Sequence, residues 1–258
     1  MLFNDDAAAR NWLGFYAFII FAWVINFLIS FSQSNLYSLE ALYGIEFWEN
    51  ICRSPLGFSD WLGLFFMWGV MGGAMMVPTL QPTLRTYSDL IWSGRGGWFE
   101  FWALLFGFLI VWLGFAAIAA LGQAWFSENN WLTFNGEFKN PLAKALLLFL
   151  AAAYQLTPLK NACLERCRSP MSFILETWEP NAFHLFWVGV RIGVICVGCC
   201  WALMLLGFVG GTMNIIFMGV ATLLMILEKL PDIGRYVTFP VASLLFMFGI
   251  FYGAQILK

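Results

Sequence analysis

Long apolar runs separated by short polar breaks organise the whole chain. A membrane-crossing helix takes about 20 mostly apolar residues at 1.5 Å each. Runs of that kind fall at residues 12–31, 61–80, 98–121, 141–155, 185–209, 213–227 and 237–256. The pattern predicts an all-α integral membrane fold with about seven transmembrane helices, forming a single polytopic membrane domain over residues 1–258. The fourth and sixth runs are short, which suits extended, tilted or partly re-entrant segments. Between the first two runs, LYSLEALYGIEFWENI spaces Leu36, Leu39, Leu42, Tyr43, Phe47 and Ile51 at helical intervals, with Glu40, Glu46 and Glu49 interspersed. That pattern predicts an amphipathic helix lying in the outer interface. Residues 170–179, PMSFILETWE, have the same character on the inner side.

Composition agrees with the pattern. Of 258 residues, 61% are hydrophobic and 11% charged, where a soluble domain has roughly a quarter charged. A net charge of −2, with basic residues scattered over loops, offers no face for nucleic acid. The basic residues do set an orientation. Arg10, Arg85, Arg95, Lys160, Arg166, Arg168, Lys229 and Arg235 fall on the N-terminal side, against Arg53, Lys139 and Lys258 opposite, with Lys144 just inside the fourth run. This places the N-terminus in the cytoplasm, the C-terminus outside, and the chain in a bacterial inner (plasma) membrane as a multi-pass protein. Acidic Asp5 and Asp6 stand ahead of the first run and no small-residue cleavage pattern follows it, so the first span is read as uncleaved.

The candidate chemistry is sulfur. Cys196, Cys199, Cys200 and Met204 lie inside the fifth run. Residues four apart share a helical face, so Cys196, Cys200 and Met204 form a stripe with Cys199 beside it. In the second run Met67, Met71 and Met75 make another stripe, ahead of Pro78 and Pro82, which are expected to end or kink the helix. Both stripes reach similar depth: Cys196 lies about 16 Å from the inner end of its run and Met71 about 15 Å from the outer end of its own. Their meeting would suit Cu(I), which accepts thiolate and thioether ligands at low coordination number. Zinc is less favoured, since its sites usually take four Cys, His or carboxylate ligands and His184 is the one histidine. Packing is the competing reading, because methionine commonly fills gaps in cores. A second thiol pair, Cys163 and Cys167, lies four residues apart among Lys160, Arg166 and Arg168, and reads as an entry or exit site for a soft metal or as a redox pair. Cys52 falls in a predicted outer loop, so a disulfide framework is not expected.

Several functions are disfavoured. No Asp, Glu or Lys falls at a predicted midplane, which weakens a relay-type proton carrier. The last run has no lysine for retinal, one histidine cannot supply bis-His haem ligation, and no phosphate-binding loop for a nucleotide occurs.

Three blocks, MWGVMGGAMMVPTLQPTLRTY from Met67, YQLTPLKNACLERCRSP from Tyr154 and CVGCCWALMLLGFVGGTMNIIFM from Cys196, occur in order over roughly residues 60 to 230. Through them the chain resembles a bacterial family of unknown function catalogued as predicted metal-binding integral membrane proteins. The resemblance implies metal binding. Members carry histidines near span ends, and this chain has only His184, which does not support a histidine-based site.

Three readings stay open at this point. The first is a membrane protein that holds Cu(I) or another soft metal on the two sulfur stripes and exchanges it through Cys163 and Cys167, with a soluble metal carrier as partner. The second is a membrane thiol oxidoreductase, in which the C-x-x-C pair Cys196 and Cys199 exchanges electrons with a quinone or with Cys163 and Cys167. The third is an accessory or assembly subunit that docks partner membrane subunits through glycine seams and bulky aromatic faces.

Overall fold

In the computed structural model, the described residues are 2–34, 58–92, 97–133, 135–168, 181–212, 214–230 and 233–257. The predicted interfacial helix at 36–51, the segment 170–179 and Cys52 lie outside them. The described chain is helical, apart from one isolated antiparallel bridge between Leu132 and Phe138.

Helix α1 spans Leu2–Ser34, α2 Phe58–Trp92, α3 Trp98–Glu128, α4 Pro141–Gln155, α5 Pro158–Arg168 and α6 Ala182–Leu205, which a single turn, Gly207–Gly210, prolongs. Helix α7 spans Ile215–Lys229 and α8 Gly234–Ala254. Three of these start on asparagine caps, whose side-chain oxygens take up N–H groups that the first turn leaves unpaired. Asn140 accepts from Leu142 at 2.8 Å, Asn181 from Phe183 at 3.0 Å, and Asn214 from Ile216 and Phe217 at 3.1 Å.

Each of the seven apolar runs contains a helix. Five helical stretches are long and apolar enough to cross a membrane, at Ala8–Ser30, Trp61–Ile91, Trp98–Glu128, Ala182–Gly210 and Gly234–Ala254. A sixth is formed if α4 and α5, bent by 61° at their junction, count as one broken span. Pro158, with no N–H to continue α4, starts α5 instead. Helix α7 has 15 residues, about 22 Å of rise against the roughly 30 Å of a hydrocarbon core. Outward faces stay apolar, with Leu13, Phe21, Phe239 and Phe251 all more than half exposed. That surface and those helices are compatible with a multi-pass membrane protein.

Helix α2 differs from its expected course. It does not end near Leu80 but continues through Pro78 and Pro82 to Trp92. A proline removes the hydrogen bond to the carbonyl four residues earlier, and here Trp23 Nε1 of α1 donates to that carbonyl, Ala74 O, at 3.0 Å. The indole satisfies what Pro78 leaves open, so the helix persists.

The core is built on α3, which packs against α2 on one side and runs parallel to α6 on the other. Small residues allow the second contact. A Cβ on Gly189 would collide with the Leu104 carbonyl, and one on Gly107 with that of Phe186. Helices α4 and α8 pair separately, with Gly249 against the Phe149 ring. The glycine seams at Gly189 and Gly249 are thus used within this chain.

Candidate metal centre

Cys196, Cys199 and Cys200 face the bundle interior from α6, each about 1% exposed. Their sulfur atoms all lie within 4.8 Å of one another. The Cys199 and Cys200 sulfurs are 3.2 Å apart, and the Cys199 thiol donates to the Cys196 carbonyl at 3.1 Å. Three sulfurs each about 2.3 Å from one ion would stand about 4 Å apart, so this cluster fits a single thiolate-bound metal with little movement. No His, Asp or Glu joins the three in a metal-ligating group among the described residues.

The second thiol pair is part of the same assembly. Because α4 breaks at Pro158, α5 folds back and packs along α6. Cys167 lies close enough to Cys199 to interact with it electrostatically, and Cys163 Sγ lies 3.0 Å from where a Cβ on Gly198 would be. Both are half-buried, so they form a rim beside the three buried thiols. The Tyr154 hydroxyl donates to the Gly198 carbonyl and its ring meets Trp201 edge-on at 4.9 Å, which holds the end of α4 against the same turn of α6. All five described cysteines are free thiols.

Lys229, which the sequence reading counted among the inner-side basic residues, stands against this cluster, and Glu228 beside it in the chain is held by Lys160 and Arg168. Lys229 Nζ lies 2.9 Å from Cys196 Sγ and 2.8 Å from Thr79 Oγ1. Lys160 Nζ bonds Glu228 Oε2 at 2.7 Å and also Gln155 Oε1, with all three side chains buried. Arg168 donates twice to the Glu228 carbonyl, from Nε at 2.9 Å and Nη2 at 2.7 Å. The sequence reading did not foresee the contact between Lys229 and Cys196. A signal for it was present: a helix as short as α7 leaves its last residues inside a longer bundle.

The methionines occupy defined levels. Thr79 Oγ1 lies 4.0 Å from Cys196 Sγ, and the Trp68 and Phe208 rings meet at 5.7 Å. These two contacts set α2 antiparallel to α6. They put Met75 level with Cys200 and Met71 level with Met204, one turn or about 6 Å further on. Met67, Met71, Met75 and Met204 are all buried. Met67 reaches the level of Phe208, about 18 Å along the axis from Thr79, and stands apart from the thiols. Met225, fully buried four residues before Lys229 on α7, is a further sulfur that the sequence reading passed over. His184, half-buried, lies twelve residues before Cys196 on the same helix, about 18 Å away, and does not join the cluster.

Compared with known proteins, residues 65–252 match the family model PpoB2, described as a copper chaperone. The match takes in both methionine and cysteine stripes, all of α5 and Lys229, and it agrees with the metal-binding resemblance carried by the three sequence blocks. No curated protein matches the chain, and no solved structure does.

Proposed function

The chain belongs to the PpoB2 copper chaperone family, and from that premise we propose that it binds Cu(I) at Cys196, Cys199 and Cys200 and exchanges it through Cys163 and Cys167. The single observation that carries this reading is the convergence of five thiols, three buried within 4.8 Å of one another and two half-buried against the same turn of α6. Soft thiolates favour Cu(I), which needs few ligands and sheds its water readily. Three thiols without a histidine or carboxylate are a poor match for the four-coordinate sites zinc prefers.

Transfer proceeds as ligand exchange. A thiolate of the rim, Cys167, bonds the incoming ion while it is still held by a soluble carrier. Cys199, next to Cys167, then bonds the ion as the carrier sulfur leaves, and Cys196 and Cys200 complete the shell as Cys167 is displaced, each thiol releasing its proton to solvent as it binds and the leaving sulfurs taking protons up. Met75 and Met71, level with Cys200 and Met204, offer thioethers to an ion that leaves the thiols along the column. The protein works as one polytopic domain of a bacterial inner membrane, with seven crossings, the N-terminus in the cytoplasm and the rim thiols on the cytoplasmic side. The asymmetry of Lys and Arg supports that orientation.

Competition with a chromophoric Cu(I) chelator under anaerobic, reducing conditions tests the reading. One Cu(I) per chain is expected to be withdrawn from the chelator by the wild type and to stay with the chelator when Cys196, Cys199 and Cys200 are all serine. A wild-type protein that leaves the chelator fully loaded would sink it.

A further inference from the structure

Lys229 is the one cation whose head group touches the buried thiols among the described residues, with Nζ 2.9 Å from Cys196 Sγ. Its position is held from both sides. Thr79 Oγ1 accepts from Nζ at 2.8 Å, and the adjoining Glu228 carbonyl is clamped by two bonds from Arg168. The neighbouring acid does not offset the charge, because the Glu228 carboxylate is engaged by Lys160 at 2.7 Å.

Thiolates alone discriminate poorly between Cu(I) and Zn(II), since soft sulfur ligands select both. An ion bonded to Cys196 Sγ at about 2.3 Å would lie no more than about 5 Å from the ammonium, given the 2.9 Å between Nζ and that sulfur. A divalent ion there meets twice the repulsion of a monovalent one.

We propose that Lys229 is a charge filter on this centre, placed to favour monovalent Cu(I) over divalent ions that thiolates would otherwise accept. The inference rests on the reading that the three thiols bind Cu(I). At about 5 Å and an effective dielectric constant of about 20, the second positive charge lowers divalent affinity on the order of 100-fold.

The test uses full-length protein in detergent micelles, with Ag(I) as the monovalent probe and Cd(II) as the divalent one, read by thiolate charge-transfer absorption. In Lys229→Gln and Lys229→Leu, the Ag(I) to Cd(II) affinity ratio is expected to fall on the order of 100-fold, while Lys229→Arg keeps it within a few-fold. Gln and Leu variants that bind both probes at the wild-type ratio would overturn the filter and leave the copper reading standing. An Arg variant as unselective as Gln would overturn it too, by showing that the lysine acts through its shape. Wild-type protein that binds neither probe would overturn the copper reading itself.

Discussion

Cys163 Sγ lies 3.0 Å from where a Cβ on Gly198 would stand, so the thiol of one helix rests on the bare backbone of the next. That approach is closer than nearly any side chain tolerates, and it carries the half-buried thiols of α5 to the buried thiols of α6. Gly198→Val is therefore expected to push α5 outward while leaving Cys196, Cys199 and Cys200 on their own helix. Overpacking of this kind costs about 1 to 3 kcal/mol. Stopped-flow transfer from a Cu(I)-loaded carrier should slow by about tenfold or more, the equivalent of about 1.4 kcal/mol on the barrier. Equilibrium Cu(I) affinity should change far less. Equal losses in rate and affinity would mean that the rim and the buried thiols are not separate stages.

Lys160 and Glu228 form an ion pair at 2.7 Å with both side chains about 1% exposed. Removing one partner of such a pair leaves an uncompensated buried charge and costs about 3 to 5 kcal/mol, whereas replacing both by apolar residues is far milder. Lys160→Met should lower the thermal midpoint in detergent sharply, and Lys160→Met combined with Glu228→Leu should recover most of the loss. The pair ties α5 to the end of α7, so Lys160→Met should also raise the alkylation rate of Cys167.

Trp23 and Pro78 make a cycle that can be measured. The indole takes the Ala74 carbonyl that the proline leaves unpaired. In an otherwise unchanged chain, Trp23→Phe should destabilise by about 1 to 3 kcal/mol, the cost of a buried acceptor without a donor. In a Pro78→Ala background the helix supplies its own N–H, so the same substitution should cost clearly less. Additive effects in denaturation curves would show that the indole is not what carries α2 past its prolines.

Much of this arrangement is legible in the chain itself. The seven apolar runs mark helices because burial and lipid both demand apolar surface along a whole span, and Cys196, Cys200 and Met204 fall on one face by spacing alone. What spacing cannot show is how helices turn back on one another. Pro158 signals a break, but the 61° bend that folds α5 against α6 depends on Gly198, which lies in another block of the sequence and whose carbonyl accepts from Tyr154. Lys229 reads as an interfacial flank because basic residues at span ends usually are. Its contact with Cys196 follows from the shortness of α7, and from Arg168 holding the Glu228 carbonyl. The course of α2 is misjudged for a similar reason, since the donor that rescues Pro78 comes from α1, 51 residues earlier than the carbonyl it meets.

X-ray absorption at the copper edge of the anaerobically loaded, full-length protein bears most directly on Cu(I) held by the thiols of α6. The spectrum should show Cu(I) with a first shell of two or three sulfurs and no nitrogen or oxygen. Serine at Cys196, Cys199 and Cys200 should remove that shell together with the metal. A shell of nitrogen or oxygen ligands in the wild type, or an unchanged sulfur shell in the triple variant, would contradict it.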